Sequence, residues 1–217
     1  ADRLSVAHIL GTKAFMGLEF KVSEDVLIPR PETEMLVETV VAAAEGTAPA
    51  IIDIGTGSGA IILSLLHYLP QATGTGVDIS PKALTIAAEN GRTLGLDGRV
   101  TWIESDLFTK VPQGACDWLV SNPPYLTKGD MEQLQPEVRH DPALALYGGD
   151  DGLEFYRRIA ADSPAYVKAG GHCAVEIGAG QAEDVTAIFC RHGAYDHEQT
   201  VKDYGGIDRV LVFSRKE

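Results

Sequence analysis

The chain has 217 residues, 45% of them hydrophobic and 23% charged, enough for one domain with a substantial core. Its 18 Lys and Arg stand against 31 Asp and Glu, a formal net charge of −13; with the basic residues scattered, this disfavours a grip on nucleic-acid backbones, which takes clustered cations. No apolar run approaches the roughly 18 residues of a membrane-spanning helix, and three widely spaced cysteines (Cys116, Cys173, Cys190) fit neither a disulfide framework nor a zinc site. Reduced thiols in a cytoplasmic protein without a metal are expected.

Residues 14–28 read as one or two short strands, broken at Gly17 and at Ser23-Glu24-Asp25 and stopped by Pro29-Arg30-Pro31. A helix is expected over 31–45. Proline suits the first helical position, Glu32 and Glu34 meet the positive end of the helix dipole, and Leu36, Val37, Val40 and Val41 supply the apolar face. From residue 50 onward strands and helices alternate. Strands are expected at 51–54, 75–78, 100–104, 118–121, 172–177, 198–202 and 209–213. Helices are expected at 60–68, 81–94, 153–166 and 182–190, with Ser80-Pro81 capping the second. This order predicts an α/β fold: a doubly wound, mostly parallel seven-stranded sheet with helices on both faces. The stretch 126–152 lacks clear periodicity, and long loops at the carboxyl end of a strand are often lids.

Asp53-Ile54-Gly55-Thr56-Gly57-Ser58-Gly59 joins the first strand of this sheet to its helix. Three glycines at alternate positions let the backbone turn sharply and let a ligand approach it. Gly55-x-Gly57-x-x-Ala60 also satisfies the looser dinucleotide fingerprint. Asp78, at the end of the second strand, is placed to accept from ribose hydroxyls in either case. Two features favour S-adenosylmethionine over a nicotinamide. Asp53 lies just before the glycines, near where an ammonium could sit and where a pyrophosphate would be repelled. Ser105-Asp106-Leu107-Phe108 follows the third strand, offering an acid to an adenine amino group and an apolar side chain to its ring.

The fourth strand delivers Asn122-Pro123-Pro124-Tyr125 to the same edge. Two prolines fix the backbone stiffly. They hold a planar amide before them and an aromatic ring after them, an arrangement suited to gripping a flat group that carries an NH2.

The order Ile-Pro-Arg-Pro-Glu-Thr-Glu (28–34), Asp-Ile-Gly-Thr-Gly-Ser-Gly (53–59), Val-Asp-Ile-Ser (77–80) and Ser-Asn-Pro-Pro-Tyr (121–125) resembles the protein N5-glutamine methyltransferases, the HemK/PrmC group. Leu-Gln-Pro-Glu-Val (134–138), Gly-Gly-Asp-Asp-Gly-Leu (148–153) and Glu-Ile-Gly (176–178) continue the likeness. The resemblance implies a class I S-adenosylmethionine-dependent methyltransferase fold, Rossmann-like, acting on the glutamine of the Gly-Gly-Gln tripeptide in peptide chain release factors. By position, Gly55, Thr56, Gly57, Ser58, Gly59, Asp78, Asp106, Leu107 and Asn122 would contact the cofactor. Asn122, Pro123, Pro124 and Tyr125 would bind the substrate, with Asn122, Pro123 and Tyr125 carrying the catalytic contacts. Members of the group carry an N-terminal helical domain. Residues 1–30 are therefore read as a segment with a short β-hairpin, a remnant linker to such a domain, and 31–217 as the catalytic domain.

Other residues stay open. Arg30 either lines the site or braces the hairpin. Glu137 and Arg139 are placed to pair across the loop, where a surface pair contributes little. His140 reads as a solvated loop histidine, and Glu176 as a hydrogen-bonded structural acid near the site. The nearest rival is a nucleic-acid amino-group methyltransferase for adenine N6 or guanine N2, since a flipped-out base presents the same NH2. A ribosomal-protein glutamine is a further alternative substrate, and a nicotinamide dehydrogenase or a non-catalytic binding module an alternative class.

Overall fold

A computed structural model of the chain describes residues 4–191 and 193–217. The first elements are a short helix α1 (Val6–Leu10) and a hairpin of β1 (Thr12–Phe15) and β2 (Leu18–Lys21). Ser5 caps α1 by accepting from the His8 N–H, and Gly11 closes it in the left-handed region. Met16 and Gly17 both have positive φ, the two-residue turn that matches strand twist in a hairpin. The hairpin is stitched to the rest of the chain. The Met16 N–H donates to Glu34 Oε1, the Tyr68 hydroxyl to the Met16 carbonyl, and Asn90 bonds both backbone groups of Lys21.

Next come α2 (Glu34–Ala44), β3 (Ala50–Ile54), α3 (Ala60–Tyr68), β4 (Thr73–Asp78), α4 (Pro81–Thr93), β5 (Val100–Glu104) and β6 (Cys116–Ser121). The chain ends with α5 (Lys128–Glu132), α6 (Glu154–Asp162), β7 (Val167–Glu176), α7 (Ala182–Cys190), β8 (Tyr195–Lys202) and β9 (Asp208–Arg215). Seven strands form one sheet in the order β5-β4-β3-β6-β7-β9-β8. The pairings from β5 to β7 are parallel, and β9 pairs antiparallel with both β7 and β8.

β6 alternates its side chains between two cores. Trp118 and Val120 join Leu36, Ile62 and Val40 on the face covered by α2 and α3, while Leu119 joins Tyr156 and Phe189 on the face covered by α6 and α7. The architecture matches the doubly wound sheet expected from the alternation of strands and helices. Differences lie at boundaries and in short elements. The helix expected over 153–166 stops at Asp162, because Ser163-Pro164-Ala165 tightens into a 3-10 turn. β7 starts five residues earlier than expected, running through Gly170-Gly171 against β6. α5, capped by a reciprocal Thr127–Asp130 box, lies inside the stretch that shows no periodicity.

Two glycines of β4 carry its packing: a Cβ on Gly74 would lie 2.8 Å from Ile62 and one on Gly76 2.3 Å from the Trp102 ring, whereas one on Gly114, in the loop before β6, would meet nothing within 4 Å. Gly76→Ala should therefore destabilise the fold by roughly 1–3 kcal/mol through overpacking, and Gly114→Ala should stay within about 0.5 kcal/mol of wild type. Urea unfolding of both variants checks this; equal stabilities would remove Trp102 as the reason for glycine at 76.

Candidate active site

From β3 the chain winds outward through β4 to β5, then returns to β6 on the opposite side of β3. The carboxyl ends of β3 and β6 are thus the switch point of the sheet, where open α/β folds bind ligands. Ile54 and Ser121 are register partners there, and Ser121 Oγ donates to the Ile54 carbonyl at 2.7 Å. Immediately beyond this clasp the two strands release the glycine loop on one side and Asn122-Pro123-Pro124-Tyr125 on the other.

Two adjoining cavities open at that point. The first, about 390 Å³, is lined by Gly55, Gly57, Asp78, Asp106, Leu107, Asn122, Pro123 and Pro124 among others. The second, about 260 Å³, is lined by Arg30, Glu32, Asn122, Tyr125, Glu176 and Arg209 among others. Asn122 belongs to both, together with Leu27 and Ala145. The tetrapeptide therefore straddles the pair, its prolines on the first cavity and its tyrosine on the second.

The glycine loop does not present all its residues to the cavity. Gly55, Gly57 and Gly59 all have φ in the left-handed region, at 75°, 55° and 79°. This winds the loop tightly enough to turn Thr56, Ser58 and Gly59 inward. Thr56 and Ser58 are buried, and the space at Gly59 is closed by Leu63, Ala87 and Trp102. The Thr56 hydroxyl donates to Asp53 Oδ2 at 2.6 Å. Asp53 itself is wholly buried beneath the loop and is not part of the cavity wall. Burial first, with the Asp78 charge adding, pushes its carboxyl up to about 7 against the Thr56 and Ile62 hydrogen bonds.

Asp78 stands at the mouth of the first cavity. Its Oδ2 accepts from the Gly57 N–H at 2.8 Å and its Oδ1 from the Ser80 N–H at 2.9 Å. Burial still raises its pKa above the ordinary carboxylate range, with those N–H bonds opposing. Asp106 Oδ1 accepts from Arg158 Nη2 at 2.7 Å, and Arg158 lies over the Phe155 ring. Leu107 holds a positive φ of 47°, a strained conformation at a residue that lines the cavity. Ile79, more than half exposed, adds an apolar wall.

This lining suits S-adenosylmethionine better than a dinucleotide. The Gly57 N–H, which a pyrophosphate would need, is committed to Asp78. Four carboxylates (Glu24, Asp25, Asp78, Asp106) and one arginine line the cavity, a field that favours a ligand of net positive charge.

The second cavity is built from residues far apart in sequence. Glu176 ends β7 and is 2% exposed. Burial pushes its carboxyl up to about 7, while the neighbouring Thr33 hydroxyl, the Arg209 charge and the Asn122 amide pull the other way; its Oε2 is buried without a hydrogen-bond partner. Asn122 Nδ2 also donates to Thr33 Oγ1 at 3.2 Å. Tyr125 is raised to about 12, by burial first and then by the Glu176 charge. Arg209 is held by Asp203, whose carboxylate also accepts the N–H groups of Gly205 and Ile207 in the β8–β9 turn. Arg30 both lines the cavity and pairs with Asp141 at 2.6 Å, so it braces the loop 126–152 rather than the hairpin. His140 packs its ring edge against His8.

Arg209, Thr33, Phe155 and Arg158 were not among the residues singled out from sequence. Nor was the work of Gly148 and Gly152. A Cβ on Gly148 would lie 2.6 Å from the Pro124 carbonyl oxygen, and one on Gly152 would lie 2.3 Å from that of Tyr125. These glycines let the loop press on the tetrapeptide backbone, with Leu126 and Tyr147 forming an isolated bridge beside it. The signal was present in Gly148-Gly-Asp-Asp-Gly-Leu153, where glycines recur without an obvious turn.

The chain matches the family model of the methyltransferase small domain over residues 31–139. It is 48% identical to the release factor glutamine methyltransferase of Agrobacterium fabrum, over 99% of this chain and 76% of that protein. It is 44% identical to the protein of the same name from Moorella thermoacetica, over 97% of this chain and 75% of that one. A solved protein-(glutamine-N5) methyltransferase, release factor-specific, from Alicyclobacillus acidocaldarius superposes with a TM-score of 0.54 at 32% identity, covering 91% of this chain and all of that chain.

The raised carboxyl of Asp53 has a measurable sign. Between its ordinary value near 3.8 and its folded value of about 7, the folded state holds a proton that the unfolded state has released. Its contribution to stability is complete below that window and is lost as pH rises through about 7. Melting temperatures at pH 5 and pH 8 should therefore differ less in Asp53→Asn than in wild type. An unchanged difference would show that Asp53 ionises normally beneath the loop.

Proposed function

The chain belongs to the release factor glutamine methyltransferase family, and on that footing we propose that it methylates the side-chain amide nitrogen (N5) of the Gly-Gly-Gln glutamine in a peptide chain release factor. The observation that carries the reading is Asn122. One side chain faces a cavity suited to S-adenosylmethionine and a second cavity, about 260 Å³, with room for a glutamine side chain.

In this proposal Gly55, Gly57, Asp78, Asp106, Leu107 and Asn122 hold the cofactor from the first cavity. Thr56, Ser58 and Gly59 act indirectly by shaping the loop. Bound S-adenosylmethionine supplies a methyl group on a sulfonium, already a strong electrophile, and yields S-adenosylhomocysteine. The demand on the protein is alignment, because a carboxamide nitrogen is a poor nucleophile whose lone pair is delocalised. The Asn122 side-chain oxygen and the Pro123 carbonyl accept the two N–H bonds of the substrate amide. This holds the nitrogen in line and favours the positive charge that develops on it. Pro124 keeps those acceptors rigid, and Tyr125, neutral at any physiological pH, packs on the amide plane and limits its rotation. After transfer the nitrogen loses one proton to water.

The same reading makes a protein, rather than a nucleic acid or a membrane, the partner, in keeping with the net charge of −13 and the acidic first cavity. It also makes the cytoplasm, where the three free cysteines stay reduced, the place of action. Among the described residues no helix is long and apolar enough to cross a membrane and no group of side chains could hold a metal.

Methyl transfer from labelled cofactor should appear on a release factor, vanish on its Gln-to-Ala variant in the tripeptide, and be absent from ribosomal RNA. Label on the RNA alone would transfer the reading to nucleic-acid amino groups. Asn122→Ala should lower kcat by roughly 100-fold or more while S-adenosylhomocysteine affinity stays within a few-fold. Asp78→Ala should do the reverse, weakening S-adenosylhomocysteine binding first. An Asn122→Ala enzyme with full turnover would remove Asn122 from the chemistry.

A further inference from the structure

Asn122 can serve a substrate NH2 only if it turns its oxygen, not its own NH2, toward that group. The two ends of a carboxamide have nearly the same shape, so the choice is made by hydrogen bonding around them. Two groups stand behind Asn122, the residue after β6: the Thr33 hydroxyl just before α2, which accepts from its Nδ2, and the Glu176 carboxyl at the end of β7, which lines the same cavity. Thr33 is 4% exposed and Glu176 is 2% exposed, so water does not settle the matter.

We propose that Glu176, acting through Thr33 and directly, is the positioning residue that orients the Asn122 amide, holding its Nδ2 inward and leaving Oδ1 as the acceptor for the substrate NH2. An ionised carboxylate can only accept. Thr33 therefore donates its proton to Glu176, and its oxygen is left to accept from Asn122 Nδ2, the bond seen at 3.2 Å. Asn122 lines the same cavity as Glu176 and favours its anion, and Glu176 Oε2 is buried there with no hydrogen-bond partner of its own. Reversed, Asn122 would set its own N–H bonds against those of the substrate. Protonated, Glu176 becomes a donor as well, and the polarity of the chain is no longer fixed. The inference rests on the NH2-gripping role of Asn122 in the proposed function, and it adds the residues that give that role its direction.

The ionisation of Glu176 is set by its neighbours from each packed element. Arg209 of β9 favours the anion, Glu32 before α2 opposes it, and Tyr125 and Tyr156 face it as neutral hydroxyls. Arg30 adds a cation to the same cavity. Burial outweighs the Arg209 charge and the neighbouring polar groups and leaves the midpoint at about 7. The sign follows: the oriented amide is populated above that midpoint and lost below it.

Three measurements test this with the full chain. The kcat of wild type for its methyl acceptor should fall on the acid side with a midpoint near 7, while Glu176→Gln should show a rate lower by about 10- to 100-fold and no such limb. Thr33→Val should lose a similar factor in kcat, and Thr33→Ser, which restores the hydroxyl, should recover most of it. S-adenosylhomocysteine affinity by calorimetry should stay within a few-fold in all three. Without any substrate, the side-chain NH2 resonances of Asn122 in 15N-Asn-labelled wild-type protein should shift with pH at the same midpoint. An acid limb that survives in Glu176→Gln, full turnover in Thr33→Val, or Asn122 resonances that ignore pH would each overturn the inference. Should Glu176→Gln fail to fold, the wild-type resonances and the Thr33 pair decide. Should the acceptor prove to be a nucleobase NH2, the glutamine reading falls, yet the same variants still score the orientation of Asn122, because that NH2 needs the same acceptor.

Discussion

The site depends on a single register: Ile54 beside Ser121, with the serine hydroxyl closing on the Ile54 carbonyl. That contact holds the ends of β3 and β6 together at the residue before their loops diverge. A slip of one residue would turn every side chain of a strand to the other face. Trp118 and Val120 would lose one core and Leu119 the other. The buried alternation of β6 therefore guarantees where Asn122 emerges, and the glycine loop emerges opposite it for the same reason. Catalytic precision here comes from the packing of two central strands.

Around this point the fold buries acids that a purely structural core would avoid. Asp53, Asp78 and Glu176 all lie at the carboxyl end of the sheet, and burial raises the pKa of each. Such clustering of perturbed groups marks functional edges. The acids do different work. Asp53 braces the loop from below through Thr56. Asp78 gathers Gly57 and Ser80 around the first cavity. Glu176 stands beside Asn122 in the second cavity, where we propose that it orients the Asn122 amide. The opposing cations, Arg209 and Arg30, are themselves tied down by Asp203 and Asp141. The second cavity is thus a charged pocket whose walls are fixed in advance.

The sheet was legible because its signals are periodic and local. Short apolar runs bounded by glycine and proline mark β3 and β6, and the alternation of strands with helices determines the winding. The tetrapeptide was legible because two prolines leave little conformational choice. What escaped the sequence is what depends on distant pairing. Thr33 bonds Asn122, and Arg209 lines the cavity that Asn122 and Glu176 share, each from a separate element, and no spacing along the chain announces either. The glycine loop shows what a linear reading leaves out. By position Gly55 to Gly59 would all contact a cofactor, and winding through left-handed positions adds that the Thr56 and Ser58 side chains are buried and that the space at Gly59 is filled. Gly148 and Gly152 are glycines because a carbonyl of the tetrapeptide lies where their side chains would go.

The account stands on Asn122 as the meeting point of two sites. It is tested most directly by a crystal structure of the chain with S-adenosylhomocysteine and a Gly-Gly-Gln peptide. The homocysteine sulfur should lie in the first cavity and the glutamine side chain in the second. The amide nitrogen should sit within hydrogen-bond distance of Asn122 Oδ1 and the Pro123 carbonyl oxygen. A glutamine lodged elsewhere, or an Asn122 that offers its Nδ2 to the peptide, would contradict it.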